Sequence, residues 1–296
     1  MTKQILTMGA LAASLTWAQG PDMSKVEIKT NKVSNNFYTL DGNGGTIGVL
    51  TGPDGVLMVD SQFAPLSDKI AAAVKQISNG NIRFLINTHV HGDHTGGNEN
   101  FGKMGAVIIA REELRNRLLH PSPAANGQTP PPTASVGLPM VTYNGQMTFK
   151  MDGEEVRVIA IPRAHTDGDS MVYFVNNDVI MTGDWYRSIQ FPNIDRANGG
   201  SLQGLENAMS RIISMCGPNT KVIPGHGPTV DRNALMAHRD MIMGVRQKVA
   251  AMVKDGKSQD EVIAAKPGAE FSSKIQQVGM TEDRFIGQVY AELKAN

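Results

Sequence analysis

Cysteine is nearly absent from this chain: Cys216 is the only one in 296 residues, which excludes any intramolecular disulfide framework. It closes an apolar helical pattern through Ala208, Met209, Ile212, Ile213 and Met215 and reads as a small buried hydrophobe, neither ligand nor nucleophile. An excess of one charge is absent too. The 28 Lys and Arg residues match the 28 Asp and Glu residues and are dispersed, so there is no electrostatic footprint for nucleic acid, and a small-molecule substrate is the expected partner. Beyond the first twenty residues no apolar run approaches the length of a membrane span, so the mature chain is expected not to insert into a membrane.

The beginning of the chain has Lys3, an apolar stretch over 5–17, and Thr16-Trp17-Ala18 before a suitable cleavage point. Residues 1–18 therefore read as a signal peptide, and the protein is expected in a periplasm or secreted. The remaining 19–296, within a chain 41% hydrophobic overall, suffice for one α/β domain with a helical C-terminal segment from about residue 231.

Alternating residues over 25–60, with turn signals at Asp41-Gly42, Asn43-Gly44-Gly45 and Pro53-Asp54-Gly55, predict antiparallel strands ending at Val59-Asp60. Helical spacing of Ile70, Ala73, Val74 and Ile77 predicts a helix over 66–78, and a strand follows over 82–87. A strand over 106–110 and a helix over 111–119 come next, then a proline-rich loop over 120–139, expected to be exposed. Further strands are predicted over 141–150, 155–161, 171–175 and 179–182.

What the chain has in excess is metal-ligating side chains in one place. His89, His91, Asp93 and His94 fall within six consecutive residues, and His165, Asp184 and His226 follow, each just past a predicted strand. Five of the seven histidines lie in this set, which a scattered surface distribution would not produce; His120 and His238 are expected to face solvent. In an extended or tightly turned backbone His89 and His91 project to one side, while the consecutive Asp93 and His94 diverge toward a second ion, helped by the backbone freedom of Gly92, Gly96 and Gly97. Four ligands would serve one closed site. Seven suit two metals sharing a bridge.

The order H-x-H-x-D-H, a lone His, Gly-Asp and Gly-His-Gly resembles the metallo-β-lactamase superfamily over residues 36–230. The resemblance implies an α/β fold, an αββα sandwich of two mixed sheets flanked by helices. It assigns His89, His91 and His165 to one Zn2+ and Asp93, His94 and His226 to another, with Asp184 and a hydroxide bridging both; iron and manganese also accept such ligands. The bridging Asp184 is similar to lactonases and glyoxalase II, and sets the chain apart from His/Asp-ligand β-lactamases. An iron-dependent persulfide dioxygenase, with one iron and one carboxylate, also resembles the motif. An exported metal-binding protein without turnover remains a third reading.

The expected chemistry is attack of the hydroxide on the carbonyl of a small ester, lactone or β-lactam, with no acyl-enzyme. Asp93, Asp184 and Tyr186 are the candidate catalytic residues, and Trp185, Arg187 and Phe191 follow closely enough to line the site. Asp60, Thr88 and Asp169 are candidates to orient the ligands from behind.

Overall fold

The computed structural model describes residues 22–295 apart from 124–126, 273, 277 and 278. The expected signal peptide, residues 1–18, therefore lies outside the described residues. Two sheets stack face to face. The first runs in the order β1 (Lys29–Lys32), β2 (Phe37–Asp41), β3 (Ile47–Gly52), β4 (Gly55–Val59), β5 (Ile82–Ile86), β6 (Val107–Arg111) and β7 (Val141–Tyr143). Its β1–β4 half is an antiparallel meander, and β4–β7 are parallel. The second sheet joins β8 (Gln146–Met151), β9 (Glu154–Ile161), β10 (Asp169–Phe174) and β11 (Val179–Met181) antiparallel, and closes with β12 (Lys221–Ile223) parallel to β11.

Alternation of side chains across each strand explains the layering. In β4, Leu57 and Val59 face inward and meet Val158, Val172 and Met181 of the second sheet, while Val56 and Met58 face the opposite side. That outer side is covered by α1 (Ser67–Ile77), through Ile70, Ala73 and Val74, and by Phe101. Short helices α2 (Gly92–Thr95) and α3 (Asn98–Lys103) follow β5, and α4 (Glu112–Leu119) follows β6. The outer side of the second sheet is covered by α5 (Leu202–Met215), α6 (Arg232–Lys254), α7 (Gln259–Ala264), α8 (Ala269–Ser272) and α9 (Glu282–Ala295), through Leu205, Met209, Ile242, Val245 and Phe285. The result is the expected αββα sandwich. Among the described residues no helix is long and apolar enough to cross a membrane.

Two expectations need correction here. The single strand predicted over 141–150 is two strands in different sheets: Asn144-Gly145 turns the chain from the edge of the first to the edge of the second, a break that uninterrupted alternation concealed. His238 does not face solvent. It is 8% exposed, because it lies three residues after Leu235 and four before Ile242 on the stripe that α6 presents to the core. Burial pushes its imidazole down to about 4.

Candidate metal centre

His89 follows β5, His165 follows β9, Asp184 follows β11 and His226 follows β12, so four strand ends deliver their loops to one edge of the sandwich. The H-x-H-x-D-H segment supplies the rest. His89 and His91 precede α2, whereas Asp93 and His94 occupy its single helical turn, and this change of backbone is what makes consecutive side chains diverge. All seven candidate ligands converge into two groups, His89, His91, His165 and Asp184, and Asp93, His94, Asp184 and His226, with the ligand atoms in each within 4.8 Å of one another. Asp184 belongs to both.

The glycines near this segment act differently from expectation. None of Gly92, Gly96 and Gly97 has a positive φ. A Cβ on Gly96 would stand 2.5 Å from the Gly92 carbonyl, and one on Gly97 2.6 Å from that of Ser61, so these two permit close backbone approach. Gly45 leaves room for an imidazole, since a Cβ there would lie 2.1 Å from His94 Cε1.

Hydrogen bonds behind the rings decide which nitrogens face inward. His165 Nδ1 lies 2.6 Å from the Asn193 carbonyl, and His91 Nε2 lies 2.7 Å from Asp195 Oδ2; both partners only accept, so both nitrogens donate. The remaining nitrogens of the neutral rings, His165 Nε2 and His91 Nδ1, then direct lone pairs at each other across 3.0 Å. His94 Nδ1 donates to Asp60 Oδ2 at 2.7 Å. Thr88 Oγ1 donates to the same oxygen at 2.7 Å, and therefore accepts from His89 Nδ1 at 3.1 Å. His89 Nε2, His94 Nε2, His226 Nε2 and Asp184 Oδ1 are left buried without a hydrogen-bond partner. Inward ring nitrogens crowded 3.2–3.3 Å from one acidic oxygen, with no aligned hydrogen bond between them, are what a divalent cation satisfies, so the donor set fits metal.

Electrostatics of the ion-free chain reflect the same crowding. Burial drives His89 well below its ordinary value, aided by the charge of His94, and brings His165 down to about 4, aided by His91. For His94 burial acts in the same direction, but Asp60 and Asp184 overcome it and raise the pKa well above the usual range. Asp184 is held well below the carboxylate range by the imidazoles of His94 and His226, against the effect of burial. Asp169 sits further back and accepts from the backbone N–H groups of His165 and Thr166; burial nevertheless raises it to about 7.

Other expected site residues divide. Arg187 Nε lies 3.8 Å from Asp184 Oδ2 and has no hydrogen-bond acceptor, which leaves a cation beside the cluster. Tyr186 corrects the expectation of a catalytic donor: it is 2% exposed, with its ring edge-on to His238 at 5.2 Å in the core under the helices. Trp185 and Phe191 are core residues as well. Asn193 and Asp195 escaped sequence reasoning, since nothing in Asn193-Ile194-Asp195 marks it as a partner of distant histidines. A cleft of about 1030 Å³ opens beside His91, between the proline-rich loop and the 193–198 segment, with α7 and α9 as its far wall.

A family model described as the metallo-beta-lactamase superfamily matches residues 40–232. The chain belongs to the metallo-β-lactamase superfamily. It is 23% identical over 267 residues to a metallo-beta-lactamase type 2 of Elizabethkingia meningoseptica, covering 85% of this chain and 99% of that one. It is 25% identical over 209 residues to a hydroxyacylglutathione hydrolase of Nitrosococcus oceani, covering 66% of each. Among solved structures, a metallo-beta-lactamase from Pontibacter korlensis superposes with a TM-score of 0.57 at 19% identity, over 73% of this chain and 99% of that chain. A stereoselective inverting sec-alkylsulfatase from Pseudomonas sp. superposes with a TM-score of 0.69 at 14% identity, over 89% of this chain but 50% of that chain. These relatives support a metal-dependent hydrolase on this superfamily fold.

Proposed function

We propose that this chain is an exported binuclear zinc hydrolase acting on a small ester or lactone, with β-lactams as a secondary substrate class. The observation that carries the reading is Asp184, the one carboxylate common to two complete ligand groups. A single-iron dioxygenase would need only one of them. When bound, two zinc ions would supply a water that ionises near neutral pH and an electrophile for the substrate oxygen.

The chain's own residues set the conditions for that chemistry. Asp60, Thr88, Asn193 and Asp195 orient four imidazoles so that the other ring nitrogen faces inward; binding a metal then requires His94 to give up a proton, but no ring has to turn. Asp93 and Asp184 offset only part of the charge of two dications, and Arg187 adds a further cation at the rim. A substrate with an anionic group is favoured there. The cleft beside His91 admits the remainder of such a molecule.

Elemental analysis combined with a panel of chromogenic esters, lactones, thioesters, cephalosporins and, given the alkylsulfatase likeness, sulfate esters tests the reading. Turnover of an ester or lactone that disappears on metal removal and returns with zinc is expected. Iron with consumption of oxygen in the presence of a persulfide would replace this reading by the dioxygenase, and metal without turnover of any panel member by the binding protein.

A further inference from the structure

Helix α9 grips the segment after Asp184 with three residues on one face, spaced i, i+3 and i+7. Phe285 stacks on Phe191 with ring centroids 5.5 Å apart. Gln288 accepts from the Ile194 N–H at 2.9 Å and donates to Asn193 Oδ1 at 3.0 Å. Glu292 accepts from the Ser201 hydroxyl and from the Leu202 and Gln203 N–H groups, closing the first turn of α5. Residues 186–195 belong to no helix or regular strand; Arg187 and Ser188 pair with His226 at one end, while Asn193 and Ile194 at the other are held by Gln288.

That segment holds the outer partners of two imidazoles. The Asn193 carbonyl accepts from His165 and the Asp195 carboxylate from His91, while the Asp195 N–H returns to the His165 carbonyl at 2.9 Å. Both rings belong to the first ligand group. The behind-ring bond of His94, in the second group, runs instead to Asp60, on the loop after β4.

We propose that Gln288 is a positioning residue for the first ligand group alone: by fixing Asn193 and Ile194 it holds the two acceptors that orient His165 and His91. Half of the metal centre thus depends on the C-terminal helix, and the other half does not. The inference rests on the two-ion reading above. Removing a partner directly behind a metal-binding histidine lowers metal affinity by about 10–100-fold, and Gln288 stands one bond further out, so the lower end of about tenfold applies.

The test uses full-length, metal-stripped protein and zinc competition against a chromogenic chelator. His226→Ala weakens the second group and leaves the first to be read; His165→Ala does the converse. Adding Gln288→Ala should lower the remaining affinity about tenfold in the His226→Ala background and less than twofold in the His165→Ala background. Equal losses in both, or no loss in the first, would overturn the proposal. Gln288→Glu keeps the acceptor for the Ile194 N–H and loses only the donor to Asn193, and it carries the same comparison should the alanine variant not fold. A wild-type chain that takes up one ion removes the two-ion reading, yet the His226→Ala comparison still decides whether Gln288 acts on His165 and His91.

Discussion

Replacing Asp60 by asparagine should impair metal binding while sparing the fold. Asp60 is 1% exposed; its Oδ1 accepts from the Thr88 N–H at 2.7 Å, and its Oδ2 accepts from both Thr88 Oγ1 and His94 Nδ1 at 2.7 Å. Its φ of 64° is left-handed, a conformation asparagine tolerates as well as aspartate, so the exchange is isosteric and unstrained. The amide oxygen can still accept from the Thr88 N–H, but an NH2 group then replaces Oδ2 opposite both the Thr88 hydroxyl and His94. His94 Nδ1 must become the acceptor, which moves the ring proton to Nε2 and removes the lone pair aimed into the centre. Bonds to a charged group contribute about 1.5–3 kcal/mol, equivalent to about 10–150-fold in affinity for the ion held by Asp93, His94 and His226. The first group should lose less, because it is reached only through Thr88 and His89. Chelator competition on stripped protein measures both affinities, and the melting temperature of the ion-free chain checks the fold. An Asp60→Asn protein that binds both ions as tightly as wild type would refute the tautomer argument.

Two further predictions concern groups beside the centre. Arg187→Ala should raise KM about tenfold or more for an anionic substrate and leave its neutral isostere unchanged, since a charge-assisted bond contributes about 1.5–3 kcal/mol; equal effects on a matched pair would show that Arg187 reads no charge. His238 has a folded pKa depressed by burial to about 4, below the unfolded 6.5, so its contribution to stability is present above about pH 6.5 and is lost as pH falls toward 4. The loss from this one group is about 2 kcal/mol by pH 5, and His238→Phe, which keeps an aromatic edge against Tyr186, should remove it. Urea unfolding of both stripped proteins at pH 7 and pH 5 reads the difference, and parallel stability curves would contradict it.

The convergence of the seven candidate ligands was legible because imidazoles and carboxylates at strand ends have few structural uses, and because β5, β9, β11 and β12 each end in apolar residues. Asp60 and Thr88 were legible for the same reason, lying at ends of predicted strands. Asn193, Asp195 and Gln288 were not. Their roles arise from contacts between residues 28 to 104 positions apart, in a segment without periodicity, and no local pattern encodes such a pairing. The errors at Tyr186 and His238 share a cause. Each was placed by proximity to a motif or by polarity of the residue type, whereas the helical stripe of α6 brings the two rings together inside the core. The strand over 141–150 misled because alternation continues across Asn144-Gly145 while the sheet changes beneath it.

The shared carboxylate is tested most directly by counting ions on the purified chain before and after Asp184→Ala. Two zinc equivalents are expected in wild type at saturation, with loss of turnover and of at least one equivalent in the variant. Uptake of no more than one equivalent by wild type, or unchanged occupancy and turnover in the variant, would contradict it.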